Sequence, residues 1–135
     1  MASFSSFQTS FEGDIITESD REYDKAISRW CKAAERKAKY VAFVKNAEDV
    51  SLALRFALST KLDVAIRGGG HSVAGASSSK DGIVIDLSRY LGTVRIDPKQ
   101  KRGYVGGGAI WEAVDKEAIK YGLATVGGTV NHVCN

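Results

Sequence analysis

At 135 residues, with 44% hydrophobic and 26% charged side chains, the chain has the size and composition of one soluble globular domain that buries its own core. A net charge of +3, with no Lys/Arg-rich run, excludes a nucleic-acid-binding surface, and no apolar stretch is long enough to span a bilayer. Thirteen of the fourteen glycines, against one proline, fall between Gly68 and Gly128, and residues 67–135 hold nine basic and six acidic side chains, so glycine and positive charge coincide where an anion would be favoured.

Residues 1–12 (MASFSSFQTSFE) lack the basic start and apolar run of a secretory signal. They are serine-rich and acid-poor like a transit peptide, but without Arg or Lys, so a flexible tail and a cytoplasmic, reduced setting are expected. Ser19-Asp20-Arg21-Glu22 has capping-box spacing. Tyr23, Ala26, Ile27, Trp30, Cys31, Ala34 and Ala38 then recur at helical intervals, predicting an amphipathic helix of about five turns. Tyr40 to Val44 reads as a buried strand. Asn46 caps a following helix whose apolar face is Val50, Ala53, Leu54, Ala57 and Leu58. Val64-Ala65-Ile66 is a second strand, giving a parallel βαβ unit.

Gly82 to Leu87 is an apolar strand, and Asp86 suits a capped turn at Leu87-Ser88. Thr93 to Ile96 and Arg102 to Val105 alternate about Asp97-Pro98-Lys99-Gln100, a hairpin. Ile110, Trp111, Val114, Ala118 and Ile119 predict a helix ending near Gly122, and Leu123 to Val130 a last strand. Tyr104 and Trp111 are read as core. The layout is α+β, a small parallel unit feeding a second sheet.

The most informative segment is Arg67-Gly68-Gly69-Gly70-His71-Ser72, directly after a strand. Three glycines let backbone N–H groups converge, and no Cβ blocks a phosphate. Arg67 adds charge and Ser72 a hydroxyl donor. The segment has neither the Gly-Lys-Ser/Thr ending of a P-loop nor the glycine spacing of a Rossmann fingerprint. Taken alone, it also fits a flexible turn. His71, at its end, offers an imidazole nucleophile, or a hydrogen bond to phosphate or backbone.

These residues, with Gly75 after them, resemble the FAD loop of the vanillyl-alcohol-oxidase-like (PCMH-type) flavoproteins, most closely the berberine-bridge-enzyme-like FAD-linked oxidases. GIVIDLS at 82–88, VRIDPKQKRGYVGGGAIW at 94–111 and GLATVGGTV at 122–130 follow in matching order, so the resemblance runs over about residues 13 to 132. It implies a PCMH-type FAD-binding fold over residues 13–135. Arg67, Gly68, Gly69, Gly70, His71, Ser72 and Gly75 would hold the diphosphate. Gly106, Gly107, Gly108, Gly127, Gly128 and Thr129 would line the flavin or the dinucleotide chain. It further implies covalent flavin through His71. A second bond through cysteine is not supported, because Gly122-Leu123-Ala124 stands where that cysteine would lie.

Relatives of this kind continue into a glycine-rich run and a substrate domain. The chain is therefore expected to be an incomplete N-terminal piece, with no catalytic residue assignable and little turnover alone. The implied activity is oxidation of an alcohol, a sugar or an alkaloid-like compound, with O2 as acceptor. The other reading is an inactive nucleotide-binding or interaction module. Cys31, His71, His132 and Cys134 fit no zinc spacing, so no metal site is expected, and the two cysteines define no disulfide framework.

Overall fold

A computed structural model describes residues 4–133. The predicted α+β layout is present as two sheets. Strands β1 (Asp14–Ile16), β2 (Tyr40–Phe43), β3 (Val64–Arg67) and β4 (Ile83–Asp86) form a sheet of order β1-β2-β4-β3. β2 and β3 share one direction, as expected, but do not pair with each other. β4 lies between them, parallel to both, so that Phe43 and Arg67 stand opposite Asp86 from its two sides. Burial explains the insertion. All four residues of β4 are buried, as a strand covered on both faces requires, whereas β3 leaves Val64 and Ile66 exposed and takes the edge. β1 closes the other edge, antiparallel to β2.

Residues 4–11 are not the expected loose tail. Phe4–Ser10 is a helix, α1, with Phe4 and Phe7 on one face and Phe11 directly after its end. Phe7 stacks on Phe56 with ring centroids 4.5 Å apart, and Phe11 lies 5.2 Å from Phe7. Both join the core beneath Ala42, Val44, Ile83 and Ile85. Serine-rich composition hid a helical spacing of three phenylalanines, each able to contribute about 2 kcal/mol of burial.

The expected five-turn helix is also corrected. Only Tyr23–Ile27 is α-helical (α2), and Lys32–Ala34 is a separate 3-10 turn. Between them Ser28 is extended (ψ 143°), Arg29 turns inward and Trp30 turns out, 65% exposed. The buried Arg29 guanidinium donates to the carbonyls of Ala26, Ser28 and, twice, Ser77. Those bonds favour the break over helix continuation. The capping box does not form. Glu22 makes no cap bond, and Asp20 instead accepts from the N–H and hydroxyl of Thr17.

Helix α3 (Ala47–Thr60) begins as predicted, with the Asn46 side chain accepting from the Asp49 N–H at 2.8 Å. Its buried face is rotated toward Phe56, leaving Leu54 partly exposed and Leu58 80% exposed. The second sheet is the predicted hairpin of β5 (Val94–Asp97) and β6 (Arg102–Val105), with the Asp97 side chain accepting from the Gln100 N–H at 3.0 Å. Helix α4 (Trp111–Ala118) runs into a 3-10 turn that stops at Gly122 in the left-handed region, φ 66°. Leu123 to Val130 is no strand. Among the described residues no strand pairs with it, and Val126 is 97% exposed. Instead the chain folds back over α4, where the N–H groups of Trp111 and Glu112 donate to the carbonyls of Val133 and Asn131. Cys134, weighed as a ligand above, lies outside the described residues. Among them no helix is long and apolar enough to cross a membrane, and no acidic, His or Cys cluster could hold a metal.

Candidate functional site

The carboxyl ends of β3 and β4 open onto a cleft of about 420 Å³. Arg67, Gly68 and Gly69 form one wall and Gly108, Ile110 and Ala113 another, with His132 at the rim. A site at the carboxyl ends of parallel strands is where an α/β sheet commonly places a ligand. The volume is ordinary for part of a cofactor-sized molecule.

The glycine loop is held from below. Arg67 and Asp86 end neighbouring strands in the same register, and Nη1 of Arg67 donates to Asp86 Oδ2 at 2.9 Å and to the Ala26 carbonyl at 3.2 Å. Asp86 is fully buried. Its other oxygen accepts from the Ser88 N–H and hydroxyl, which forms the turn expected there. Arg29 approaches from the broken helix: a Cβ built on Gly70 would lie 3.0 Å from Arg67 Nε and 3.3 Å from Arg29 Cδ. Burial, and then the neighbouring Arg67 charge, push the Arg29 pKa down to about 10. Two guanidinium groups thus lie beneath the loop with one buried carboxylate, which pairs with Arg67 alone, an electropositive seat.

Above that seat the loop has spare donors. Among the described residues no hydrogen bond engages the N–H groups of Gly69, Gly70 or His71. Buried Nε of Arg67 also lacks a partner. Gly70 sits at φ 74°, a conformation that L side chains rarely adopt. Unsatisfied backbone donors, an orphaned guanidinium N–H and excess positive charge together fit a phosphate-bearing anion.

His71 does not stand alone. Its ring lies 5.5 Å from that of Trp30, inclined by 25°, and 4.8 Å from that of His132. The chain's only two histidines meet here from 61 positions apart.

The other expected residues divide. Ser72 and Gly75 close a turn of their own, the Gly75 N–H donating to the Ser72 carbonyl and the Ala76 N–H to the Ser72 hydroxyl. Of Gly106, Gly107 and Gly108, only Gly108 lines the cleft. Gly106 and Gly108 pack so tightly on the segment after β4 that a Cβ would fall 2.1 Å from the Leu91 carbonyl oxygen and 2.0 Å from that of Leu87. Gly127 and Gly128 lie against the Trp111 indole, where a Cβ would come within 2.8 and 2.7 Å of ring atoms. Thr129 is exposed beside them. For these four glycines, close contact within the protein already explains the residue type.

Sequence reasoning missed Arg29, Ser88, Gly92 and the role of His132. The first was counted on the charged face of a helix that breaks, so nothing local marked it. Asp86 was seen as a turn cap, but its pairing with Arg67 required knowing that β3 and β4 are neighbours.

The family described as FAD binding domain matches residues 38–134. (R)-6-hydroxynicotine oxidase of Paenarthrobacter nicotinovorans is 34% identical over 119 residues, covering 88% of this chain and 26% of that protein. The FAD-linked oxidoreductase pgmH of Aspergillus terreus is 36% identical over 128 residues, covering 92% and 26%. Among solved structures, 6-hydroxy-D-nicotine oxidase from Arthrobacter nicotinovorans superposes with a TM-score of 0.88 at 32% identity, over 92% of this chain and 27% of that one. A carbohydrate oxidase from Microdochium nivale shares the fold, with a TM-score of 0.84 at 18% identity over 98% and 29%. The chain spans about a quarter of the length of the curated relatives it matches.

Proposed function

The chain belongs to the FAD binding domain family, and from that premise we propose that it is the cofactor-holding part of an FAD-linked oxidoreductase. The proposed reaction oxidises a small organic substrate, an alcohol, a sugar or an alkaloid-like compound, and passes the electrons to O2. The fold is the PCMH-type FAD-binding fold and the family's cofactor is FAD. The substrate class rests on what the relatives are named for, a hydroxynicotine and a carbohydrate among them. The same reading takes the protein to be cytoplasmic.

When bound, FAD supplies a two-electron acceptor, and the protein's part is to hold it and exclude competing chemistry. The observation that carries the reading is the run of unengaged N–H groups at Gly69, Gly70 and His71 over the Arg29, Arg67 and Asp86 cluster. In this reading the segment Arg67 to Ser72, with Gly75, receives the diphosphate, and Gly68 and Gly69 let the backbone approach it. Gly108 lines the adjoining cleft. Gly106, Gly107, Gly127, Gly128 and Thr129 lie outside that cleft and, in this reading, line the flavin or the rest of the dinucleotide chain. His71, at the loop's end, is the proposed point of covalent attachment.

The test is flavin content. A full-length form, purified and supplied with FAD, should show a flavin absorption band after gel filtration, and Gly69→Val should lose it, because the new side chain enters the phosphate wall. FAD retention by Gly69→Val equal to wild type would overturn the assignment. Peroxide release on a panel of alcohols, sugars and alkaloids then tests the substrate class.

A further inference from the structure

We propose that Trp30 is the positioning residue of His71, fixing the orientation in which the imidazole meets the flavin. The inference rests on the reading of His71 as the attachment point and adds a residue that the sequence pattern placed only on the apolar face of a helix.

The argument begins at the break after α2. Arg29 anchors the break from inside with four hydrogen bonds to carbonyls, so the backbone that carries Trp30 is fixed. The Trp30 N–H donates to the Gly70 carbonyl at 3.3 Å, tying the break to the glycine loop one residue before His71. Its indole then lies almost parallel to the His71 ring, 5.5 Å centroid to centroid. A tryptophan left 65% exposed contributes little to the core. What its ring does instead is cover one face of His71, while His132 stands 4.8 Å away at a 52° tilt. Covering one face of the imidazole and crowding it with a second ring restricts His71 side-chain rotation.

Orientation matters because attachment needs a lone pair aligned on a carbon. In that attachment a His71 nitrogen bonds to the methyl carbon of the flavin ring. The carbon loses one C–H hydrogen and the imidazole its N–H proton. Two electrons and two protons end on O2 as peroxide, so the flavin is left oxidised. Indole stacking supplies none of these atoms; it raises the fraction of time His71 spends aligned.

Wild type, Trp30→Phe and Trp30→Ala would be compared in two measurements. NMR of the cofactor-free protein reads the ring-current shift of the His71 imidazole protons. Mass spectrometry after denaturation reads the rate at which flavin becomes bonded to the polypeptide in the presence of FAD and O2, alongside total flavin bound before denaturation. The expected result is that Ala abolishes the ring-current shift and slows attachment by roughly 10- to 100-fold, leaving noncovalent FAD affinity unchanged, while Phe restores both shift and rate. An Ala variant that attaches flavin at the wild-type rate would overturn the proposal. So would a fall in attachment that only tracks a fall in FAD affinity, since that is the mark of a merely structural role. If the wild type binds FAD yet releases all of it on denaturation, the attachment reading itself fails, and Trp30 loses its proposed role with it.

Discussion

Asp86 is the residue on which the loop's geometry depends most. It is fully buried, it neutralises Arg67, and its second oxygen fixes Ser88. Replacing it with Ala would leave the Arg67 guanidinium, itself 18% exposed, without a counter-charge. A broken buried pair of this kind costs about 3–5 kcal/mol. We expect Asp86→Ala to unfold at markedly lower urea concentration, and Arg67→Met combined with Asp86→Leu to recover most of the loss. A single variant within about 1 kcal/mol of wild type would show that the pair contributes little. The glycines and Arg67 were legible because their types and order carry the chemistry. The pair was not, since its two members lie 19 positions apart and meet only through strand order.

At the scale of elements, the structure departs from the sequence pattern where one strong local interaction outweighs periodicity. Arg29 breaks the second helix, and the rings of Phe7 and Phe56 recruit a segment whose serine content argued against order. Where periodicity and packing agree, as in β4, the cap of α3 and the β5–β6 hairpin, the elements lie within a residue or two of their predicted places. The segment 123–130 failed for a different reason: strand propensity is realised only through pairing, and among the described residues no strand pairs with it. If α1 is an integral part of the core, Phe7→Ala should cost about 3–5 kcal/mol in chemical denaturation, the usual loss for a buried phenylalanine. A change below about 0.5 kcal/mol, typical of exposed sites, would mean that α1 adds nothing to stability.

Across the whole molecule, distant parts of the chain are tied by a polar network around Arg89. Its guanidinium bridges Asp14 of β1 and Glu22 before α2, and the Tyr90 hydroxyl donates to Asp14 at 2.5 Å. The Tyr90 hydrogen bond holds the Asp14 carboxyl below its ordinary value of 3.8, assisted by Arg89 and opposed by burial. A carboxylate with a depressed folded pKa contributes stability that is complete above its ordinary value and is lost as pH falls through the folded one. Tyr90→Phe should therefore lower stability near neutral pH, with the gap to wild type closing as pH falls below 3.8. Urea midpoints at about pH 7 and about pH 3 would check this, and a gap of constant size would place the effect elsewhere. The strand order has a consequence of another kind, in time. Because β4 joins β2 to β3, β3 has no neighbouring strand until residues 83–86 have left the ribosome, although β2 can already pair with β1. The glycine loop, made earlier in translation, waits for Asp86 to hold Arg67. Such non-local pairing is slow to form and leaves strand edges uncovered meanwhile. The anchoring of the loop thus follows the synthesis of β4 and not that of the loop itself.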